Sequence, residues 1–327
     1  MPDLDSISIL TLWTAIAIYA GAFIAYTFDL ARRSSSIKVE ERMLVTAGGS
    51  VVGAPEESPY AADAGGAAAP GKQRFVMARI GTSLMILGWL FHLTATITRG
   101  IANGHVPWSN LYEFAMIGTL LVVLVYLVVL TRIDLRFLGA FITGLVLVLL
   151  GAAAANFYRE VTPLAEPLKS VWLVIHVFVA SLSVGVFALA FALSVVQLLQ
   201  ARREARVAEG IENAGPGFLR TLPDTVRLEN LAYRFAVVGF IFWTFTLIAG
   251  SIWAQDAWGR YWGFDVKETW TFIIWVLYAG YIHARATRGW RGTPSAWLSI
   301  VGFASVIFNF TIVNVFFKGL HAYSGLS

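Results

Sequence analysis

The chain alternates between long apolar runs and short polar breaks. Eight of the runs have the length and hydropathy of membrane-spanning helices, at about 7–29, 75–98, 110–131, 137–157, 170–200, 231–253, 268–286 and 295–317. The pattern predicts an all-α, polytopic integral membrane protein of about eight helices. One break is unlike the others. The stretch 253–270, WAQDAWGRYWGFDVKETW, holds Trp253, Trp258, Trp262 and Trp270, with Gln255, Asp256, Arg260, Asp265, Lys267 and Glu268 between the rings. Flat apolar faces beside charges suit a broad planar ligand with polar edges. An aromatic belt at a membrane interface is the ordinary alternative.

Composition supports the membrane reading. Of 327 residues, 57% are hydrophobic and only 13% charged; a soluble domain carries about 25%. The mean hydropathy is +0.69 and the isoelectric point about 9.4. That basicity does not point to nucleic acid, because membrane proteins gather Lys and Arg on the cytoplasmic side. Alternating the connections places Arg99, Arg159, Lys169, Arg260, Lys267 and Lys318 on one face and the other 18 of the 24 basic residues on the opposite one. The basic face is then cytoplasmic, and both termini and the tryptophan stretch face outward. The chain has no cysteine, which excludes disulfides and thiolate metal sites within it. Asp3 and Asp5 stand where a signal peptide needs basic residues, so the first run (1–30) is expected to stay as an anchor. Residues 31–74, rich in Ala, Gly and Pro from 43 onward, predict a flexible cytoplasmic linker before the main domain at 75–327.

Four of the five histidines lie in apolar helices or at their ends, where ionisable groups are costly and therefore functional candidates. At about 1.5 Å per residue, His176 and His92 lie roughly 9 Å inside the outer face, and His283 roughly 22 Å down, near the inner face. His321 follows the outer end of the last helix, and His105 sits in the outer loop GIANGHVPWSN. Two imidazoles on opposite faces of one iron have nitrogens about 4 Å apart. His176 and His321 can meet that condition beside the tryptophan stretch; His283 cannot share an iron with either.

Each group also has an ordinary structural reading. His176 could be a core histidine bonded to a carbonyl or to Ser181, and His321 a solvated tail residue. His92 shares a face with Arg99 and could serve a polar network. His105 could be an interfacial loop residue, and His283 could complement a helix C-terminus. Asp265 and Glu268 form the Asp-x-x-Glu of a capping box for the seventh helix. Arg260 and Lys267 then remain to meet anionic groups such as ligand carboxylates, or simply to face solvent.

The stretch WAQDAWGRYWGFDVKETW with IIWVLYAGYIHAR, the ending NVFFKGLHAYSG, and the segments FHLTATITRG, GHVPWSNLYEF and SVWLVIHVFVASLS closely resemble the heme-handling cytochrome c assembly proteins. Among these it looks like the CcsA/ResC type, called CcsB in some bacteria, and the resemblance covers roughly 80–327. It implies an external platform for heme b made by Trp253, Trp258, Trp262, Phe264, Asp265 and Trp270, with Arg260 and Lys267 at its charged edge. His176 and His321 match the two external iron ligands. His283 matches a deeper ligand whose second ligand comes from a ResB-type membrane partner. Roles for His92, His105 and Arg99 are left open. The implied activity is presentation of heme to an apocytochrome c CxxCH segment, as a subunit of a cytochrome c synthase in the plasma membrane of a bacterium. The heme site would lie on the outer face, and a thioredoxin-like protein could keep the thiols reduced. A heme exporter without ligase activity, a quinone or heme redox subunit, and a scaffold without cofactor remain as alternatives. The family core usually reads WxWDPKE; here Phe264 replaces Trp and Val266 replaces Pro.

Overall fold

The computed structural model describes residues 3–46 (side chains to Arg33), 76–160, 164–211, 214–287, 290–317 and 319–321. Among them there is helix and no strand. The helices are α1 (Leu4–Thr46), α2 (Val76–Asn103), α3 (Leu111–Leu130), α4 (Gly139–Asn156), α5 (Val171–Ala208), α6 (Thr225–Trp258), α7 (Val266–Ala286), α8 (Thr293–Phe310) and the short α9 (Ile312–Phe316). Among the described residues they make seven spans long and apolar enough to cross a membrane, α8 and α9 together forming the last. The exception, α7, has 21 residues, but its Trp, Tyr and Thr side chains and its charged ends lower its hydropathy. Helices are what the bilayer allows, since every backbone N–H and C=O must be bonded within the segment.

Several boundaries differ from the expected ones. Helix α1 continues through 31–46, the start of the expected linker, because IKVEERML consists largely of helix formers; residues 47–75 lie outside the described residues. The charged end of α5 runs to Ala208 and stops in a turn at Glu209–Gly210, where Gly210 has φ 78°. Helix α6 runs five residues past the expected end and carries Trp253 and Trp258 with it. Gly259, at φ 70°, ends it in a left-handed turn that a Cβ would disfavour.

The helices associate mainly as α1 on α2, α5 on α6, and α7 on α8, with α3 and α4 bridging α1 and α5. Lipid tails are as apolar as leucine, so helix contact depends on close packing and internal polar bonds. Phe187 of α5 illustrates the packing. Its ring stacks on Tyr278 of α7 at 3.6 Å, and a Cβ on Gly239 of α6 would come within 2.6 Å of it. Polar bonds tie the ends. Arg99, 1% exposed, bonds Asp5 of α1, Glu113 of α3 and the carbonyl oxygen of Arg159. At the opposite end Glu229 of α6 accepts from Arg285 of α7 and from the backbone N–H of Gly292 before α8. These clasps leave a gap between α3, α5, α6, α7 and α8 at the Arg99 end, and that gap is the site.

Because the native chain has no cysteine, its orientation can be read directly. A Lys169→Cys variant is expected to react with a membrane-impermeant maleimide added to intact cells, and Glu209→Cys only after the membrane is opened. The reverse pattern would invert the expected topology.

Candidate functional site

The site is a cavity of about 1050 Å³ including its mouth, lined by His176, Trp253, His321, Lys267, Trp262 and residues of α3 and α8. Its rim is organised by two carboxylates at the start of α7. Asp265 is the N-cap, accepting from the N–H of Lys267, and the capping box with Glu268 is complete. Glu268 also gathers the preceding loop. Its carboxylate takes the N–H of Gly263 at 2.9 Å, that of Asp265 at 3.0 Å and Arg260 Nη1 at 3.1 Å. This network holds Phe264 at φ 57°, a left-handed conformation that L-residues avoid.

The second carboxylate reaches the C-terminal segment. Asp265 accepts from the N–H of Leu320 at 2.9 Å and from Nδ1 of His321 at 2.7 Å. Burial alone would raise the Asp265 carboxyl, but these bonds outweigh it and hold its pKa at about 2. Burial pushes the His321 imidazole below its usual value although Asp265 pulls the other way. A carboxylate only accepts, so Nδ1 carries a proton, and in the neutral ring Nε2 keeps the lone pair.

His176 reaches the same state by another route. Its Nδ1 lies 2.9 Å from the carbonyl oxygen of Thr246, which can only accept, so Nδ1 carries the proton and Nε2 keeps the lone pair. Ser181, weighed above as its partner, is not bonded to it. The approach of α5 to α6 here requires Gly250, where a Cβ would come within 2.6 Å of the imidazole. Both imidazoles meet Trp253. Its ring stacks on His176 at 5.9 Å and 18° and lies edge-on to His321 at 5.3 Å. Trp258 also lies edge-on to His321, at 4.8 Å. Histidines that ligate metal donate their other ring N–H to a carbonyl or carboxylate, which fixes tautomer and orientation. Both histidines have that support, and no hydrogen bond reaches either Nε2 among the described residues.

The other expected residues fall in several places. Trp262 lines the cavity, and Trp258 stands beside it as a wall of the His321 pocket. Phe264 is 80% exposed and touches Trp262 edge-on, outside the cavity. Trp270 packs on Phe308 of α8, also away from the lining. Arg260 is not left free: Glu268 takes it, and it lies over the Trp258 ring. Lys267 does line the cavity and bonds Asn314. His283 is exposed on α7, about 25 Å along that helix from Val266. His92 is fully buried with Nδ1 3.4 Å from the Tyr19 hydroxyl, between α1 and α2. His105 bonds the Val106 carbonyl oxygen in its loop. Arg99 belongs to the clasp, not the cavity. The two departures from the family core are also placed: Phe264 is outside the lining, and Val266 is the first residue of α7, where proline is favoured but not required.

Sequence reasoning passed over Trp108, Asn110, Tyr261, Thr246, Asn309 and Asn314, all of which line the cavity. Asn309 and Asn314 did carry a signal, as amides inside an apolar run. Tyr261 did as well, within the tryptophan stretch.

The cavity, with its aromatic walls and two imidazoles, lies in a bundle of helices long and apolar enough to cross a membrane, which places the chain among polytopic membrane proteins. The chain belongs to the cytochrome C assembly protein family, whose model matches residues 108–321. Among similar proteins, cytochrome c biogenesis protein CcsA of Guillardia theta is 34% identical over 252 residues, covering 72% of this chain and 83% of that one. The CcsA of Synechococcus elongatus (strain ATCC 33912 / PCC 7942 / FACHB-805) is 33% identical over 282 residues, covering 75% and 87%. In fold the chain resembles the solved structure of cytochrome c heme lyase CcmF, with a TM-score of 0.60 at 14% identity. That match covers 95% of this chain but only 47% of the other, so the chain spans about half of that longer protein.

Two substitutions test the site's supports. Gly250→Ala is expected to push His176 off Thr246 and lower iron-porphyrin affinity by at least tenfold, read by optical titration, with little change in thermal stability. Asp265→Asn keeps the helix cap, since Asn caps as well as Asp, but removes the charge that orients His321. Loss of such a support costs about 10- to 100-fold in metal affinity; an unchanged titration would show that Asp265 serves the cap alone.

Proposed function

We propose that this protein binds heme b in the cavity between His176 and His321 and presents it to an apocytochrome c for covalent attachment. The observation that carries the reading is the matched state of the two imidazoles. Each has its Nδ1–H engaged, each keeps an uncommitted Nε2, and both rest on Trp253. Axial ligation needs that lone pair, and the indole rings suit a porphyrin plane. The family and its CcsA relatives support the same reading.

The chemistry asks little of the protein beyond positioning. Each thiol of a CxxCH segment adds across one heme vinyl group: a carbon–sulfur bond forms, and the thiol hydrogen goes to the neighbouring carbon. The addition is redox-neutral, and its thiols come from the client, so a chain with no cysteine is sufficient. The gain comes from holding vinyl and thiol together. A thioredoxin-like protein would keep the client thiols reduced beforehand. The chain acts in the bacterial plasma membrane with the cavity on the outer face, as the distribution of basic residues supports. His283 holds heme lower in the membrane, and its exposure on α7 leaves room for a second ligand from a ResB-type partner.

Purified with that partner, the wild-type complex is expected to show a low-spin heme spectrum and to mature a co-expressed cytochrome c. His176→Ala and His321→Ala are each expected to remove the external heme signal and at least 90% of holocytochrome, while His283→Ala weakens heme loading at a separate site. If both external variants mature cytochrome c normally, the reading fails. A heme that stays at one per complex and cycles with quinone would favour a redox subunit, and heme export without attachment would favour a transporter.

A further inference from the structure

Buried polar atoms without partners are rare and call for an explanation. The cavity wall holds two. Trp108, 8% exposed, has an indole N–H that donates to nothing among the described residues, and Asn309, 1% exposed, has an Oδ1 that accepts from nothing. In the lining of the same cavity, Lys267 Nζ bonds Asn314 Oδ1 and lies 5.9 Å from the ring centres of both Phe114 and Phe310. Among the described residues no carboxylate pairs with it. The two nearest in sequence are committed, Asp265 to His321 and Glu268 to Arg260. The Asp265 carboxylate is near enough to attract Lys267 but is bonded to His321, and a cation among aromatic rings without a bonded counter-charge is costly.

The setting adds to the same charge. Asn110, the N-cap of α3, and Lys267, in the first turn of α7, both line the cavity. The N-termini of these helices are capped by Asn110 and by Asp265 with Glu268, so their dipoles add only a background positive potential to that of Lys267. We propose that this wall seats the carboxylate edge of the bound ligand, through charge-assisted hydrogen bonds from Lys267 Nζ and Trp108 Nε1–H. The assignment rests on the heme reading, because the two propionates are the only anionic groups at the edge of that ligand. It removes Arg260 from the role expected of it, since Glu268 already neutralises that guanidinium. It adds Trp108, which lies outside the tryptophan stretch. Asn309 Oδ1 is an acceptor and takes no direct part.

The test compares heme with heme dimethyl ester, which has the same ring, iron and vinyl groups but no carboxylate. Both are titrated into the full-length protein with its partner and followed by the Soret band. The wild type is expected to prefer the free acid by about 10- to 100-fold, the range of bonds to charged groups. Lys267→Met is expected to lose most of that preference while binding the ester as the wild type does; Lys267→Arg should keep it. Trp108→Phe, which keeps the apolar ring and deletes the N–H, should lose a smaller part. The proposal is overturned if Lys267→Met still discriminates like the wild type, if the wild type never discriminates, or if Lys267→Met loses the ester equally. A wild type that binds neither porphyrin would instead remove the heme reading on which the assignment rests.

Discussion

Two carboxylates three residues apart hold this site together. Asp265 and Glu268 form the capping box of α7, and each then reaches outward. Glu268 draws in the loop that follows α6; Asp265 draws in the segment that follows α9 and carries His321. A local device for starting a helix thus joins two distant parts of the chain across one cavity. Ionised groups this close to a membrane are tolerated only when bonded, and both are bonded several times over.

The same economy governs the bundle. With little hydrophobic drive between helices in lipid, contact comes from small residues and internal polar bonds. Gly239 lets α6 meet Phe187, and Gly250 lets it meet His176 a few turns further on. The Arg99 clasp ties α1, α2 and α3 at the end where the cavity opens. Rigid walls matter for a protein that works by positioning, because an imidazole displaced by an ångström no longer ligates.

The division between structural and functional histidines follows from what each ring touches. His92 sits in the core beside Tyr19, outside the lining of the site, while His176 and His321 rest on one tryptophan at its wall. His283 faces outward on α7, far from both. Burial alone would have ranked His92 first. A bonded Nδ1 with an unpartnered Nε2 occurs at His92 and His105 too; what singles out the other two is that both rings meet Trp253 at the wall of one cavity.

By itself the sequence determined the membrane class, nearly all the spanning segments, the capping box and the separation of His283 from the other histidines. These depend on hydropathy, helix rise and local pattern, which act over a few turns. It also carried the family, through motifs that survive as strings. Where α6 would end was not legible, because Trp, Ala and Gln are as acceptable in a helix as in a loop. Nor was the pairing of Arg260 with Glu268 or of His321 with Asp265, or the arrival of Trp108 from a different loop. Those contacts join residues that no local periodicity relates, and only the packing of α3, α5, α6, α7 and α8 around one cavity decided them.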